Sequence, residues 1–339
     1  MKLLYIGGTG NISAACVRRS LEQGHEVTVL NRGNRALEDF GIHGATSLVA
    51  DIQDEAATAN ALAGRSYDAV ANFIAFTPAD IQRDIRLFSG QCAQYLFISS
   101  ASAYQKPPSS PWITESTPLC NPHWDYSRDK IACEEACTQA YRENGFPITI
   151  VRPSLTYETV IPVAIGSWDD FTIVERMRAG REVVVHGDGS SLWTITHSKD
   201  FAKGFCGLIG NQQALGDAFH ITSDELLTWD QIYDAVSIAA GAGPAKKVHI
   251  PSEFISKLVP WQEGNLTGDK AVSTLFDNSK LKRAVPGFQA TISFQEGIRR
   301  TIAWFEEKPE RKVIQEENNQ TIDQIIAAYS ATYNSLQPL

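Results

Sequence analysis

The chain has 339 residues, 30 Lys+Arg against 39 Asp+Glu for a formal net charge of −9, 43% hydrophobic residues, 24 Gly and 15 Pro, a globular composition that excludes disordered, collagenous and coiled-coil classes. An acidic total without a Lys/Arg-rich block argues against a nucleic-acid partner. No apolar run reaches the roughly 18 residues that span a bilayer, and Met1-Lys2 passes straight into a short apolar run and glycines, so neither a membrane partner nor a signal peptide is expected.

Taken in chain order, the first half alternates β-branched runs with helical stretches, the pattern of an α/β protein whose doubly wound parallel sheet is covered on both faces. Lys2 to Ile6 reads as strand one. Gly7-Gly8-Thr9-Gly10-Asn11-Ile12-Ser13 follows it directly and opens a helix running to about Gln23. Glycines at such a turn permit positive φ and let backbone N–H groups approach a pyrophosphate, which then sits on the positive end of the helix dipole. The loop therefore predicts dinucleotide binding, with Gly7, Thr9, Gly10, Asn11 and Ile12 around the phosphates. Ser13 stands where a glycine is usual, which predicts a helix slightly further from the strand.

Strand two spans Glu26 to Leu30 and ends in Asn31-Arg32-Gly33-Asn34-Arg35, where a carboxylate for the adenosine ribose would otherwise stand. Arg32 and Arg35 can accommodate the 2′-phosphate of NADP, so NADP(H) is favoured and NAD(H) remains possible; ordinary solvated loop charges are the alternative. Ser47 to Ala50 is strand three, followed by Asp51-Ile52, where Asp51 either accepts hydrogen bonds from adenine or closes a strand-end turn. Ala69 to Asn72 is strand four, leading into Phe73 and Ile74, and Tyr95 to Ser99 is strand five.

Strand five ends in Ser99-Ser100-Ala101-Ser102, and 26 positions after Ser100 comes Tyr126-Ser127-Arg128-Asp129-Lys130. Residues four apart share a helix face, so Tyr126 and Lys130 point into one space. Hydride transfer at a carbinol carbon requires a proton to move on oxygen, and a phenol becomes a useful base only when a neighbouring charge such as that of Lys130 favours its phenolate. A Ser100 hydroxyl would hold the substrate oxygen within reach of the phenol. Trp124, just before Tyr126, is a candidate substrate contact by connectivity. Cys133 and Cys137 share a face of the same helix and read as core; the six scattered cysteines form no C-x-x-C pair, predicting reduced cytoplasmic thiols and no metal.

Ile148 to Arg152 is strand six. Beyond Pro153 the alternation loosens: helices are predicted over Phe171–Ala179, Asp200–Ile209, Thr228–Ala240 and Ser293–Phe305, strands over Val183–His186 and Ala218–Ile221, and a last helix over Ile322–Tyr329. His197 and Asp200 begin a helix and read first as cap and surface charge.

Together the glycine loop, Ser100 and the Tyr126-x-x-x-Lys130 pair make the chain resemble the extended short-chain dehydrogenase/reductase family, specifically its NAD-dependent epimerase/dehydratase group, over about residues 1 to 305. The resemblance implies a Rossmann-type sheet with a smaller, mainly C-terminal α/β substrate domain. It implies Tyr126 as acid/base, Lys130 as the residue that binds the nicotinamide ribose and lowers the tyrosine pKa, and Ser100 as the substrate-orienting hydroxyl with Ser102 in reserve. Phe73, Ile74 and Ser99, and the Pro153-Ser154 turn, are implied as cofactor neighbours. A homodimer is expected on the same ground. The expected division is 1–155 for the dinucleotide domain with segments about 192–227 returning to it, 156–191 and 228–310 for the substrate domain, and 311–339 as a helical extension.

One departure bears on substrate. In Gly187-Asp188-Gly189-Ser190-Ser191-Leu192-Trp193-Thr194, Trp193 stands where nucleotide-sugar members carry an arginine for the diphosphate. An indole cannot neutralise a diphosphate, so the expected substrate is a small molecule without a nucleotide handle. Trp193 either walls the substrate or is buried between the domains. The expected function is thus an NAD(P)-dependent oxidoreductase or epimerase; a non-catalytic NAD(P)-binding sensor or scaffold of the same fold is the alternative.

Overall fold

The computed structural model describes residues 1–166 and 168–336. Its first half runs β1 (Lys2–Ile6), α1 (Ser13–Glu22), β2 (Glu26–Asn31), β3 (Thr46–Val49), α2 (Glu55–Leu62), β4 (Tyr67–Asn72), α3 (Pro78–Phe88), β5 (Cys92–Ile98), β6 (Trp112–Ile113), α4 (Asp125–Asn144) and β7 (Ile148–Pro153). The second half continues with β8 (Leu155–Tyr157), α5 (Thr172–Arg178), β9 (Val183–His186), β10 (Leu192–Trp193), β11 (Ile195–His197), α6 (Ser198–Leu208), β12 (Asp217–Ile221) and α7 (Trp229–Ala239). Helices over Phe294–Glu307 and Glu316–Asn334 close the chain, the latter longer than the eight-residue helix its apolar pattern predicts.

Seven strands form one sheet in the order β12-β7-β5-β4-β1-β2-β3, every pairing parallel. A parallel sheet needs covered faces, and its strands therefore read as continuous apolar runs. In β1 alternate residues serve opposite cores: Leu3 and Tyr5 pack towards α1 and α6, Leu4 and Ile6 towards α3 and α4. Helix α1 lies close on the sheet because its buried face is built of Ser13, Ala14, Ala15, Cys16, Val17 and Ser20, all small or short. A capping box of Thr77 and Asp80 with Pro78 in the first turn starts α3. The late strand β12 rejoins the sheet beside β7.

The second lobe has its own apolar core, drawn from α5, β9, α7 and the two C-terminal helices. Lys247–Ile250 pairs with β9 and Leu275–Phe276 with β6; the first is half polar and the second only two residues long, so neither announces itself in sequence. Strand order reverses at β1, between β2 and β4, which opens a crevice at the carboxyl ends of the strands where doubly wound folds bind ligands. Among the described residues no helix is long and apolar enough to cross a membrane.

Candidate active site

The glycine loop stands at that crevice. Gly7 has φ +81°, and a Cβ there would lie 2.6 Å from Ile74 Cγ2, so the position demands glycine on both counts. Ser13, where a glycine is usual, is hydrogen-bonded to the loop itself. Its hydroxyl donates to the Gly7 carbonyl at 2.7 Å and accepts from the Gly10 N–H at 2.8 Å, pinning the loop from within. Asn11 is likewise spent on structure: its amide donates to Thr156 O at 2.8 Å, and its oxygen accepts from the Glu158 and Thr159 N–H groups at 2.8 and 3.1 Å. It ties the loop to the segment after β8. Ile12 packs on the α1 core and leaves only its backbone for a ligand.

A cavity of about 480 Å³ is shaped by Gly7, Thr9, Gly10, Asn31, Ile52 and Ile74. Arg32, Arg35 and Asp51 stand on its outer wall. Arg35 reaches Thr9 O at 3.4 Å and lies 5.7 Å from the Phe40 ring centroid, while neither Arg32 nor Arg35 is ion-paired among the described residues. Asp51 turns back on its own chain, accepting from the Gln53 N–H at 3.1 Å. The site fits a dinucleotide on a specific ground: Asn31 Nδ2 is buried without a partner beside a glycine cradle that a Cβ would fill. Phe76, unforeseen in the sequence, adds an exposed ring to this wall.

Two expected neighbours of the cofactor point elsewhere. The Phe73 ring stacks on Tyr5 at 6.1 Å and meets Phe205 at 5.3 Å, inside the α1/α6 core, because strand alternation turns it away from the crevice. Ser99 is buried and donates to Glu134, which also holds Arg152 through two hydrogen bonds of 2.9 and 2.6 Å. Arg152 in turn donates to Tyr104 Oη, 3.0 Å from His220 Nδ1, so Ser99 belongs to a buried polar chain behind the sheet.

Ser100, Tyr126 and Lys130 do converge. Helix α4 carries the last two on one face, and the Lys130 Nζ lies 5.8 Å from the Tyr126 ring centroid. The lysine is fully buried and donates to Ala75 O at 2.7 Å and Ile98 O at 2.8 Å, leaving one N–H free. Burial pulls its pKa down to about 8. The Tyr126 phenol is raised above its ordinary value, not lowered as expected: burial dominates, the Ser100 hydrogen bond opposes it, and the charge of Asp269 adds to the rise. Ser100 Oγ is 2.9 Å from Ser102 Oγ, which accepts from Ser127 Oγ at 2.8 Å, so the reserve hydroxyl extends a short hydroxyl chain to α4.

Beyond these residues lies a cavity of about 510 Å³, bounded by Ser100, Ser102, Tyr126, Pro153 and Ser154 on one side. Trp124, Trp168 and Trp261 supply indole walls, and Asp269 and Lys270 close the far end. Trp124 is thus where connectivity predicts. Trp193 is not: it is buried in the second-lobe core, 5.8 Å from Trp229 and under the Lys106 ammonium at 5.2 Å, so of the two expectations burial holds and the substrate wall does not. His197 caps α6 by accepting from the Lys199 N–H, and Asp200 accepts from the Thr291 and Ile292 N–H groups.

Sequence reasoning missed Asn121, Asp269 and Lys270. Asn121 Nδ2 donates to Ser102 O at 2.8 Å and Gly268 O at 2.6 Å, bridging the serine turn to the far wall. Its position shortly before Tyr126 was the available clue. Asp269 and Lys270 sit in a π-helical turn, Leu266–Lys270, far along the chain and without periodicity, so no local pattern pointed to them.

The description "NAD dependent epimerase/dehydratase family" matches residues 3–221. The 2′-dehydrokanamycin reductase of Streptomyces kanamyceticus is 27% identical over 290 residues, covering 85% of this chain and 80% of that protein. The chloroplast stem-loop binding protein of 41 kDa b from Arabidopsis thaliana is 26% identical over 266 residues, covering 75% of this chain and 67% of its own. Among solved structures, the epimerase Mth375 from Methanothermobacter thermautotrophicus aligns with a TM-score of 0.74 at 18% identity, covering 91% of this chain and 93% of that one. The UDP-glucose 4-epimerase from Bifidobacterium longum, solved with NAD+ and UDP, aligns at 0.72 and 17% identity over 92% of this chain and all of its own. At these identities the structural likeness speaks for the fold.

Proposed function

Because the chain belongs to the NAD dependent epimerase/dehydratase family, an NAD-dependent enzyme family, we propose that it is an oxidoreductase acting on a carbonyl or carbinol carbon of a small molecule without a nucleotide diphosphate. The observation that carries this reading is the convergence of Ser100, Tyr126 and Lys130 between the glycine-loop cavity and a second cavity with no arginine in its wall. The 2′-dehydrokanamycin reductase relative supports net reduction over epimerisation. Arg32 and Arg35, unpaired beside the cradle, support NADPH over NADH.

The dinucleotide, when bound, supplies or accepts the hydride. Gly7, Gly10 and the amide of Asn31 would line its cradle, and Lys130 would offer its remaining N–H to the nicotinamide ribose. In reduction the Tyr126 Oη gives its proton to the substrate oxygen as the carbon gains hydride, and the reverse reaction returns it. With its pKa raised, the phenol is protonated at neutral pH, the form from which reduction draws its proton. The Ser100 hydroxyl donates to the same substrate oxygen and fixes it against the phenol. On this reading residues 1–155 with 192–227 bind cofactor, 156–191 and 228–310 bind substrate, and the described part of the C-terminal extension, 311–336, braces the second lobe. We place the enzyme in the cytoplasm, consistent with six free cysteines, and as a homodimer through α3 and α4.

The test is Tyr126→Phe. Turnover of NADPH with cyclic ketones should fall by about a hundredfold or more while NADPH affinity stays within about threefold. Unchanged turnover would overturn the assignment, and tighter binding of NADH than NADPH in a fluorescence titration would overturn the cofactor preference.

A further inference from the structure

The far wall of the substrate cavity is built with more care than a lining requires. Three consecutive carbonyls of the π-helical turn are each held by a buried side chain: Gly268 O by Asn121 Nδ2 at 2.6 Å, Asp269 O by Lys106 Nζ at 3.0 Å, and Lys270 O by Trp229 Nε1 at 3.2 Å with His186 Nε2 at 3.0 Å. The turn also packs on Trp124, since a Cβ at Gly268 would lie 3.2 Å from Trp124 Cβ. A backbone fixed at three successive points presents its side chains in one geometry, which is what selective recognition needs.

Asp269 and Lys270 are the two charged side chains in this cavity's wall. Lys270 Nζ donates to Asn265 Oδ1 at 2.7 Å and to Asp269 Oδ2 at 3.2 Å, so one of its three N–H groups stays free. Asp269 Oδ1 is 3.5 Å from Lys106 Nζ and keeps acceptor capacity. Side by side they offer one donor and one acceptor of opposite charge, with the Lys106 ammonium behind the carboxylate. An anion at the free Lys270 N–H would meet the Asp269 carboxylate beside it, and a cation at Asp269 would meet the ammoniums of Lys270 and Lys106, whereas two adjacent hydroxyls use both free positions with no like charge beside them. The indoles of Trp124, Trp168 and Trp261 supply flat apolar faces for the C–H faces of a saturated ring.

We propose that Asp269 and Lys270 are specificity-determining residues that grip a pair of neighbouring hydroxyls on a neutral cyclic polyol, seated between the indole walls. This rests on reading the cavity as the substrate site of an oxidoreductase. Asp269 would accept from one hydroxyl, Lys270 would donate to the next, and the ring carbon to be reduced or oxidised would lie at the Ser100–Tyr126 end.

The test is calorimetric titration of the full chain, saturated with NADP+ or NAD+, using methyl α-D-glucopyranoside and myo-inositol as neutral probes and glucosamine, glucuronate and UDP-glucose as contrasts. The neutral probes should bind, each contrast should bind about tenfold more weakly, and Asp269→Asn and Lys270→Gln should each weaken the neutral probes about tenfold with cofactor affinity unchanged. Stronger binding of a charged probe, or equal binding of neutral probes by both variants, overturns the proposal. The ranking of probes on the wild type decides even if a variant fails to fold. Cofactor binding without any neutral-probe binding overturns this proposal and leaves the oxidoreductase reading standing, whereas failure to bind either dinucleotide overturns that reading.

Discussion

Lys130 pairs a buried ammonium with two carbonyl acceptors, and its charge state is the residue-scale variable that matters most. Its pKa is lowered to about 8 by burial, so the ammonium is present below that pH and lost above it. In the cofactor-binding role proposed for it, affinity for NADPH should weaken as pH rises through about 8, while Lys130→Arg should hold its affinity to higher pH because a guanidinium does not titrate there. The same shift bears on stability with a different sign: between about 8 and 10.5 the unfolded chain holds a proton the folded one does not, so this group's stability contribution rises across that window. A pH-independent affinity from 7 to 9.5 would remove Lys130 from the cofactor site. At Arg152 the lesson is different. Its buried pair with Glu134 is satisfied on both sides, so Arg152→Met alone should cost about 3 kcal/mol in urea unfolding, and the double change Arg152→Met with Glu134→Leu should cost less than either single change.

At the scale of elements, what could be read in advance follows the range of the interactions involved. Strands β1 and β9 match their predicted bounds because each is a run of apolar residues buried on both faces. The face shared by Tyr126 and Lys130 was legible because helical spacing is a local property. Phe73 and Ser99 were assigned to the cofactor by their place after a strand, yet which face each takes is decided by pleat alternation and by partners such as Phe205 and Glu134, over a hundred and about thirty-five residues away. Ser13 illustrates the same point within one loop, since its hydroxyl substitutes a pair of hydrogen bonds for the close approach a glycine gives. The glycine loop yields a prediction at this scale. Gly7→Ala must place a methyl against Ile74 at positive φ, at a cost of about 1–2 kcal/mol, and should weaken dinucleotide binding about tenfold in a fluorescence titration.

For the whole molecule, three buried histidines set the acid limit. His186, His197 and His220 all have pKa values lowered to about 4 by burial. Unfolded, each takes up a proton near pH 6.5; folded, each resists until about 4. Their contribution is therefore complete above about 6.5 and is lost as pH falls towards 4, amounting to about 2 kcal/mol per histidine at pH 5. Two of them lie where lobes and segments meet, His186 beneath the Lys270 carbonyl and His220 between Tyr104 and Asp277, so acid should loosen the substrate side with the rest. Urea midpoints at pH 7 and pH 5 measure this, and equal midpoints would show that the three rings are solvated.

The Asn11 side chain, which makes three hydrogen bonds to β8 and the segment after it, also limits how the molecule can breathe. A clamshell motion of the two lobes would have to tear those three bonds from the loop that cradles the dinucleotide. The solvent margin of the reaction chamber, where Trp168 and Trp261 stand exposed, is then the expected way in, past two indoles and with the lobes at rest. Small-angle scattering curves of the free and dinucleotide-loaded protein should superimpose, and the pace of admission should respond to substitution of those two tryptophans alone.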